Sequence, residues 1–148
     1  MVKHVLVCTD GGKLSDKAVD AAIRLAKDLG ARLTGFHVTQ DYPINPFPEY
    51  AIVASSLSPQ QWKADQEKRT QRILARVEIK ASKASVDCSI RSGLDIDPYK
   101  AIIAAAKKSR CDLIVMASHG RRGIQGLILG SETNKVLTHS KLPVLVYR

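Results

Sequence analysis

The sequence predicts a single α/β domain, residues 1–148, with an open, parallel, five-stranded sheet that has helices on both faces. Three observations support this fold class. The length of 148 residues is typical of one domain. The 45% hydrophobic and 25% charged residues are typical of a globular protein and exclude a disordered one. Five short apolar runs alternate with four helical patterns, and this alternation indicates parallel strands with right-handed crossovers.

The first elements are two predicted strands with a helix between them. Residues 4–9 form an apolar run rich in β-branched side chains, which predicts a strand. Alanines and leucines from Ala18 to Leu29 follow the spacing of one helical face, and Gly30 is placed to end that helix. Residues 32–39 predict the second strand.

A long irregular segment follows the second strand. Three prolines exclude a continuous helix or a central strand from residues 40–57. A loop of this length in a small domain is more often functional than idle. Ser58 and Gln61 then form a capping box, which predicts a helix that runs to about Ala84.

The third and fourth strands lie on either side of a short helix. Residues 86–91 predict a strand that we expect Gly93 to end. Asp97 and Pro98 start a helix, because proline is favoured at the first helical position. The run 112–117, which is apolar after its first residue, is typical of a central parallel strand.

The last elements are a glycine-bearing loop, a helix and a strand. The loop covers residues 118–130 and leads to Ser131, the expected N-cap of a helix over about residues 132–140. The last strand, residues 142–147, has a proline near its start, which suits the edge of a sheet.

Several classes of protein are excluded by the sequence. No apolar run reaches the roughly 18 residues of a membrane span. The N-terminus enters a strand-like run at once and lacks the features of a signal peptide. Cys8, Cys88 and Cys111 are odd in number, far apart and set in apolar runs, which favours buried free thiols over disulfides or a zinc site. We therefore expect a cytoplasmic protein.

The charge is strongly basic, with a formal net charge of +9. This charge favours an anionic partner, which could be nucleic acid, a membrane surface or a phosphorylated ligand. Residues 60–83 carry a net charge of +4, but aromatic side chains do not interleave with the basic ones, which disfavours binding of single-stranded nucleic acid. We expect this helix to be a solvated face and nucleic acid not to be the partner.

The loop after the first strand is one candidate site, because ligands of parallel sheets bind at the carboxyl ends of the strands. Cys8 and Thr9 lead into Asp10, Gly11 and Gly12. The glycines permit close approach of a ligand to the backbone, and the Asp10 carboxylate could hold a metal–phosphate complex. Alternatively, Asp10 caps the first helix or orders the turn.

The end of the second strand is a weaker candidate. Backbone groups of residues 35–39 could recognise an adenine edge without any particular side chain, so such a site leaves almost no trace in the sequence. His37 is expected to be structural, packed near the core or ordering the loop.

The loop after the fourth strand is the strongest candidate. Residues 117–131 follow a buried strand, open a helix and include four glycines, so main-chain amides and the helix N-terminus can approach phosphate oxygens. Ser131 can cap the helix or donate to a phosphate. Arg121 and Arg122 would add positive charge near the same anion. The alternative is a flexible connector with solvated arginines.

At these residues the chain resembles the universal stress protein family, over nearly its whole length. The resemblance includes Asp10, the Ser-His-Gly-Arg loop, Leu-Gly-Ser before the last helix and the closing Pro-Val-Leu-Val strand. The nucleotide-binding branch of the family has the pattern Gly, two residues, Gly, nine residues, then Gly-Ser or Gly-Thr. Gly120, Gly130 and Ser131 match this pattern, whereas Ala117 replaces its first glycine.

The resemblance implies a Rossmann-like fold of the adenine nucleotide alpha hydrolase type, with strand order 3-2-1-4-5. It implies a stress-response regulator or sensor that binds ATP, ADP or AMP, with Mg²⁺ or Mn²⁺ held at Asp10. It also implies a homodimer that pairs the last strand, Leu142 to Tyr147. The nucleotide-binding residues it implies are Cys8, Thr9, Asp10, Val38, Met116, Ala117, Gly120, Arg121, Arg122, Gly130, Ser131 and Glu132.

Catalytic residues do not emerge from the sequence. The chain lacks a P-loop, a G-x-G-x-x-G motif after the first strand and a G-x-S-x-G elbow, and the adjacent Ser118 and His119 do not make a triad. We therefore expect ATP hydrolysis to be slow or absent. Two alternatives stay open: a dimeric interaction protein that has lost tight nucleotide binding, suggested by Ala117, and a weak ATPase or phosphotransferase.

Overall fold

Five parallel strands form one sheet in the computed structural model, which describes residues 1–39, 58–119 and 129–148. The sheet order is β3-β2-β1-β4-β5, so the predicted order is confirmed. The elements are β1 (His4–Cys8), α1 (Lys13–Leu29), β2 (Arg32–Thr39), α2 (Pro59–Lys83), β3 (Cys88–Leu94), α3 (Pro98–Lys108), β4 (Leu113–Ala117), α4 (Ser131–His139) and β5 (Val144–Tyr147).

The centre of the sheet is β1, which pairs with β2 on one side and with β4 on the other. Val5 is in register with Leu33 of β2 and with Leu113 of β4. Because all strands are parallel, their carboxyl ends lie at one edge of the sheet. The strand order reverses between β1 and β4, which is where ligands of open α/β sheets bind.

Two hydrophobic cores cover the two faces of the sheet. Side chains alternate between faces along a strand, so Val5 and Val7 pack beneath α1 and α2, and Leu6 packs on the opposite side. Val77 of α2 belongs to the first core, and Val136 of α4 to the second. The prediction of helices on both faces is confirmed.

Two predicted helix ends are confirmed at atomic detail. The Gln61 backbone N–H donates to Ser58 Oγ at 3.2 Å, and the Ser58 N–H donates to Gln61 Oε1 at 2.8 Å, which completes a capping box. Gly30 ends α1 in the left-handed region at φ 61°, where glycine is favoured.

Two predicted boundaries are wrong. Gly93 does not end β3, which continues to Leu94. A Cβ at Gly93 would lie 2.9 Å from Cζ of Phe36, so the glycine leaves room for that ring within the strand. Ser131 is not the N-cap of α4 but its first residue, because Gly130 occupies the cap position.

The amino end of the sheet, opposite the predicted site, is held by the Asp112 carboxylate. Its Oδ2 accepts hydrogen bonds from the backbone N–H groups of Lys3 at 2.7 Å and His4 at 3.0 Å. The first of these contacts contributes most to lowering the Asp112 pKa below its usual value. Burial, followed by the nearby charge of Arg32, lowers the pKa of His4.

Candidate functional site

The turn after β1 is ordered by a compact set of side-chain hydrogen bonds. Asp10 Oδ1 accepts from the Gly12 backbone N–H at 2.9 Å and from Ser15 Oγ at 2.6 Å. The Gly11 N–H donates to Thr9 Oγ1 at 3.1 Å, and Thr9 Oγ1 lies 3.2 Å from Ser15 Oγ. The structure therefore supports the alternative given for Asp10, that it orders the turn. The carboxylate also remains at the carboxyl edge of the sheet, where a ligand would bind.

Gly11 gives this turn its shape. Its φ is 76°, a conformation that side-chain-bearing residues rarely adopt. A Cβ on Gly11 would also lie 2.8 Å from Cγ1 of Ile73, whose side chain is buried on α2. Helix α2 thus packs directly against the turn, and only glycine allows this contact.

His37 fixes the same turn from the side of β2. It is 7% exposed, and its Nδ1 lies 2.7 Å from the carbonyl oxygen of Thr9. A carbonyl only accepts hydrogen bonds, so Nδ1 carries the proton. The Thr9 N–H donates to the Phe36 carbonyl at 3.0 Å. The structural role expected of His37 is confirmed, and the partly buried Val38 follows it at the strand end.

The end of β4 is joined to α4 and β5 by backbone contacts. The Ser118 N–H donates to the Tyr147 carbonyl at 2.7 Å, and the Gly130 N–H donates to the Ser118 carbonyl at 2.7 Å. Thr133 Oγ1 donates to the Ala117 carbonyl at 3.0 Å. The start of α4 therefore lies against the carboxyl end of β4, as its predicted role in phosphate binding requires.

Gly130 lies where two chain segments nearly touch. A Cβ there would lie 3.1 Å from both the Ser118 carbonyl oxygen and the His119 Cα. Its φ of −58° is open to any residue, so close approach, not backbone conformation, favours glycine. The exposed Ser131 follows as the first residue of α4.

Glu132 makes contacts that its sequence position did not suggest. Its Oε2 accepts from the Tyr99 backbone N–H at 2.9 Å, and its Oε1 lies 2.8 Å from Lys135 Nζ. Tyr99 is in the first turn of α3, where the N-cap residue, Asp97, makes no side-chain cap hydrogen bond. Glu132 therefore caps α3 from a different helix, and its predicted nucleotide contact stays a prediction.

The described site residues lie at the ends of three neighbouring strands and at the start of α4, with Val38 at the end of β2. Asp10 and its turn follow β1, whereas Met116, Ala117, Gly130 and Ser131 lie where β4 meets α4. The side chains of Met116 and Ala117 are buried. Burial raises the pKa of the Cys8 thiol to about 12, so the thiol remains protonated at neutral pH. The predictions for Gly120, Arg121, Arg122 and the loop 40–57 lie outside the described residues.

Two residues that organise the site, Ser15 and Thr133, were not predicted to contact it. Each is buried and makes its contact across several residues or between elements. Serine and threonine near a helix start are common, so their type alone gave no signal. Only the hydrogen-bond geometry identifies them.

A metal ion at this site would depend on ligand oxygens as well as on the protein. Within residues 1–39, 58–119 and 129–148, no three His, Cys, Asp or Glu side chains form a group that could hold a metal. Magnesium in nucleotide sites is commonly held by one or two carboxylates, with phosphates and waters completing its shell. Asp10 fits that limited role.

Within residues 1–39, 58–119 and 129–148, no helix is long and apolar enough to cross a membrane.

Known proteins resemble the chain over its full length. The model of the universal stress protein family matches residues 1–148. A universal stress protein of Bacillus subtilis, YxiE, is 31% identical over 157 residues, with all of both chains covered.

Two solved structures of similar proteins contain adenine nucleotides. A universal stress protein in complex with cAMP has a TM-score of 0.72 and 27% identity, covering 99% of this chain and 97% of its own. An Arabidopsis thaliana family protein with AMP bound has a TM-score of 0.68 and 16% identity, covering 98% and 90%. At that identity, the Arabidopsis structure supports the fold alone.

Proposed function

Because the chain belongs to the universal stress protein family, we propose that it is a dimeric regulatory or sensor protein of the stress response that binds ATP or another adenine nucleotide. The observation that carries this proposal is that two features lie at the same edge of the sheet. One is the Asp10 carboxylate, which is held by hydrogen bonds, and the other is Gly130, where two chain segments nearly touch. Both lie at the carboxyl edge where strand order reverses. The complex of a similar protein with cAMP, at 27% identity, supports the choice of an adenine nucleotide.

The proposed binding mode divides the nucleotide between the strand ends. Backbone groups at Val38 recognise adenine, and the strand end at Met116 and Ala117 lines the adenosine cleft. The first turn of α4, from Ser131 onward, presents backbone N–H groups to phosphate oxygens. Gly130, whose own N–H donates to the Ser118 carbonyl, keeps this turn close to the end of β4. Gly120, Arg121 and Arg122 complete the phosphate side, and Asp10 contributes to the hold on Mg²⁺ or Mn²⁺.

Turnover is proposed to be slow or absent. Hydrolysis needs a base that orients water, and none of the described residues at the site is assigned that role. His119 Nδ1 shares a 3.2 Å contact with Ser118 Oγ on its own loop. We therefore propose that the protein signals by whether nucleotide is bound or not, and not by turnover. We also propose that it is cytoplasmic.

The proposed homodimer forms through β5. This strand lies at the sheet edge, and Leu145 is 39% exposed there. Unprotected edge strands favour pairing with another chain. Sedimentation velocity tests this: wild type sediments as a dimer, and Val146→Pro, which removes a backbone donor from the strand, shifts it to monomer. A monomeric wild type at tens of micromolar contradicts the dimer.

Titration calorimetry with ATP and Mg²⁺ tests nucleotide binding. Wild type is expected to bind, and Gly130→Trp to lose binding because the ring has no room beside Ser118 and His119. Thr138→Trp, at an exposed position near the far end of α4, is the matched control and retains affinity. Absence of heat and of any thermal shift at millimolar ATP would favour a family member without tight nucleotide binding.

A further inference from the structure

We propose that Ser15 is the positioning residue for Asp10, and that it sets how tightly the site holds a metal-bound nucleotide. This inference rests on the proposed nucleotide-binding function. Ser15 is 4% exposed, so its hydroxyl acts on a ligand through Asp10 and not by direct contact. The hydroxyl lies 2.6 Å from Asp10 Oδ1, a short distance typical of a hydrogen bond to a charged oxygen.

The proton positions in the turn follow from the donors available. The Gly11 N–H occupies Thr9 Oγ1 as an acceptor, so the Thr9 hydroxyl proton is available to Ser15 Oγ, 3.2 Å away. Ser15 has one proton, and Asp10 Oδ1 at 2.6 Å competes for it with the Gly12 carbonyl at 3.0 Å. The charged and nearer oxygen is the stronger acceptor. The resulting chain of donors runs from Gly11 through Thr9 and Ser15 to Asp10.

The position of Ser15 on a helix makes this contact rigid. Ser15 lies in the first turn of α1, and α1 is anchored in the core by buried residues such as Val19. The turn itself contains two glycines, which provide no side chain that could hold Asp10. Replacement of Ser15 by alanine removes this hydrogen bond between the carboxylate and α1, whereas the hydrogen bond from the Gly12 N–H remains. Ordering a mobile carboxylate on binding costs conformational entropy and so lowers affinity, whereas a carboxylate that is already ordered avoids this cost.

The Gly12 N–H and the Ser15 hydroxyl are neutral donors, so these two contacts stabilise the carboxylate without cancelling its charge. The oriented negative charge is what a magnesium ion on nucleotide phosphates requires. Loss of one hydrogen bond to a charged group is therefore expected to reduce the affinity for ATP with Mg²⁺ roughly tenfold. Binding of AMP without metal is expected to change much less.

A double-mutant cycle tests whether Ser15 acts through Asp10. Affinities for ATP with Mg²⁺ are measured for wild type, Ser15→Ala, Asp10→Ala and the double variant. The expected result is a clear loss in each single variant and no added loss from Ser15→Ala in the Asp10→Ala background. Ser15→Thr, which keeps the hydroxyl, is expected to restore binding.

Val19→Ala on the same helix controls for stability, since it removes core packing and is expected to leave affinity unchanged. If the Ser15→Ala variant binds ATP with Mg²⁺ as tightly as wild type does, this inference alone is overturned. If Ser15→Ala reduces affinity equally in the wild-type and Asp10→Ala backgrounds, the inference is also overturned, because Ser15 then acts independently of Asp10. A wild type that binds no nucleotide overturns the proposed function, and this inference with it.

Discussion

The carboxylate of Glu132 on α4 accepts a hydrogen bond from the backbone N–H of Tyr99 on α3, at 2.9 Å. It satisfies a donor in the first turn of α3 that the helix cannot pair internally. The same residue directly follows Gly130 and Ser131 at the predicted phosphate site. The start of α4 is therefore tied to α3 as well as to β4, through contacts that lie far apart in sequence.

Replacement of Glu132 by alanine is expected to destabilise the fold by about 1 kcal/mol, the usual effect of losing a helix cap. Glu132→Gln keeps an oxygen acceptor for the Tyr99 N–H and is expected to lose much less stability than Glu132→Ala. Urea unfolding measures both variants. Lys135→Ala removes the ion pair with Glu132 and the contact of the ammonium with the Tyr99 ring, but it leaves the cap of α3 in place. It should therefore cost less stability than Glu132→Ala. Equal losses in Glu132→Ala and Lys135→Ala would contradict the capping role.

Gly11→Ala is expected to destabilise the protein more than Gly30→Ala does. Both glycines have positive φ, at 76° and 61°, so both substitutions strain the backbone by about 1 kcal/mol. Gly30 has open space around it, whereas a Cβ at Gly11 would meet Ile73 at 2.8 Å. Only the first substitution adds overpacking, so we expect a further loss of about 1 kcal/mol.

The Ile73→Ala background checks the origin of that difference. Removing the Ile73 side chain should bring the effect of Gly11→Ala close to that of Gly30→Ala, because only the backbone strain would remain. Thermal or urea unfolding of wild type, the two single variants Gly11→Ala and Ile73→Ala, and the double variant measures the coupling between the two positions. If the two glycine substitutions are equally costly in the wild-type background, α2 does not constrain the turn.

The three thiols are expected to differ in reactivity. Burial raises the pKa of Cys8 to about 12 and that of Cys111 to about 11, so at pH 8 about one thiol in a thousand or fewer is ionised at either position. Burial also raises the pKa of Cys88, but a hydrogen bond with the Gly35 backbone opposes that shift. Cys8 and Cys88 are both partly exposed, whereas Cys111 is buried. Alkylation of the native protein at pH 8 should therefore modify Cys88 first, and urea should expose the other two. A fast reaction that persists in Cys88→Ser would contradict this order.

Stability is expected to fall as the pH drops. The pKa of His4 is lowered from 6.5, so below about pH 6.5 the unfolded chain takes up a proton that the folded one resists. The pKa of Asp112 is lowered from 3.8, so its contribution is present above pH 3.8 and is lost as the pH falls further. Urea unfolding from pH 7 to pH 3 measures both effects. Asp112→Asn should flatten the profile below pH 4, whereas Asp28→Asn, at an exposed position on α1, should not.

The sequence by itself determined the elements and their order. Residues 113–117 are apolar without interruption because both faces of β4 are buried. The capping box at Ser58 is a local contact between neighbours. Local patterns of this kind are visible in one chain. The same patterns placed Asp10 directly after the first strand and Gly130 directly before the last helix, and so predicted which edge of the sheet carries the site.

Only the tertiary structure decided how that edge is held together. Ser15 on Asp10, His37 on Thr9 and Glu132 on Tyr99 are contacts between residues that no periodicity relates. Gly93 within β3 depends on the ring of Phe36 on the neighbouring strand, so the sequence predicted a strand end there in error. Hydrophobic periodicity specifies which face of an element is buried, whereas these polar and close contacts depend on the final distances between elements.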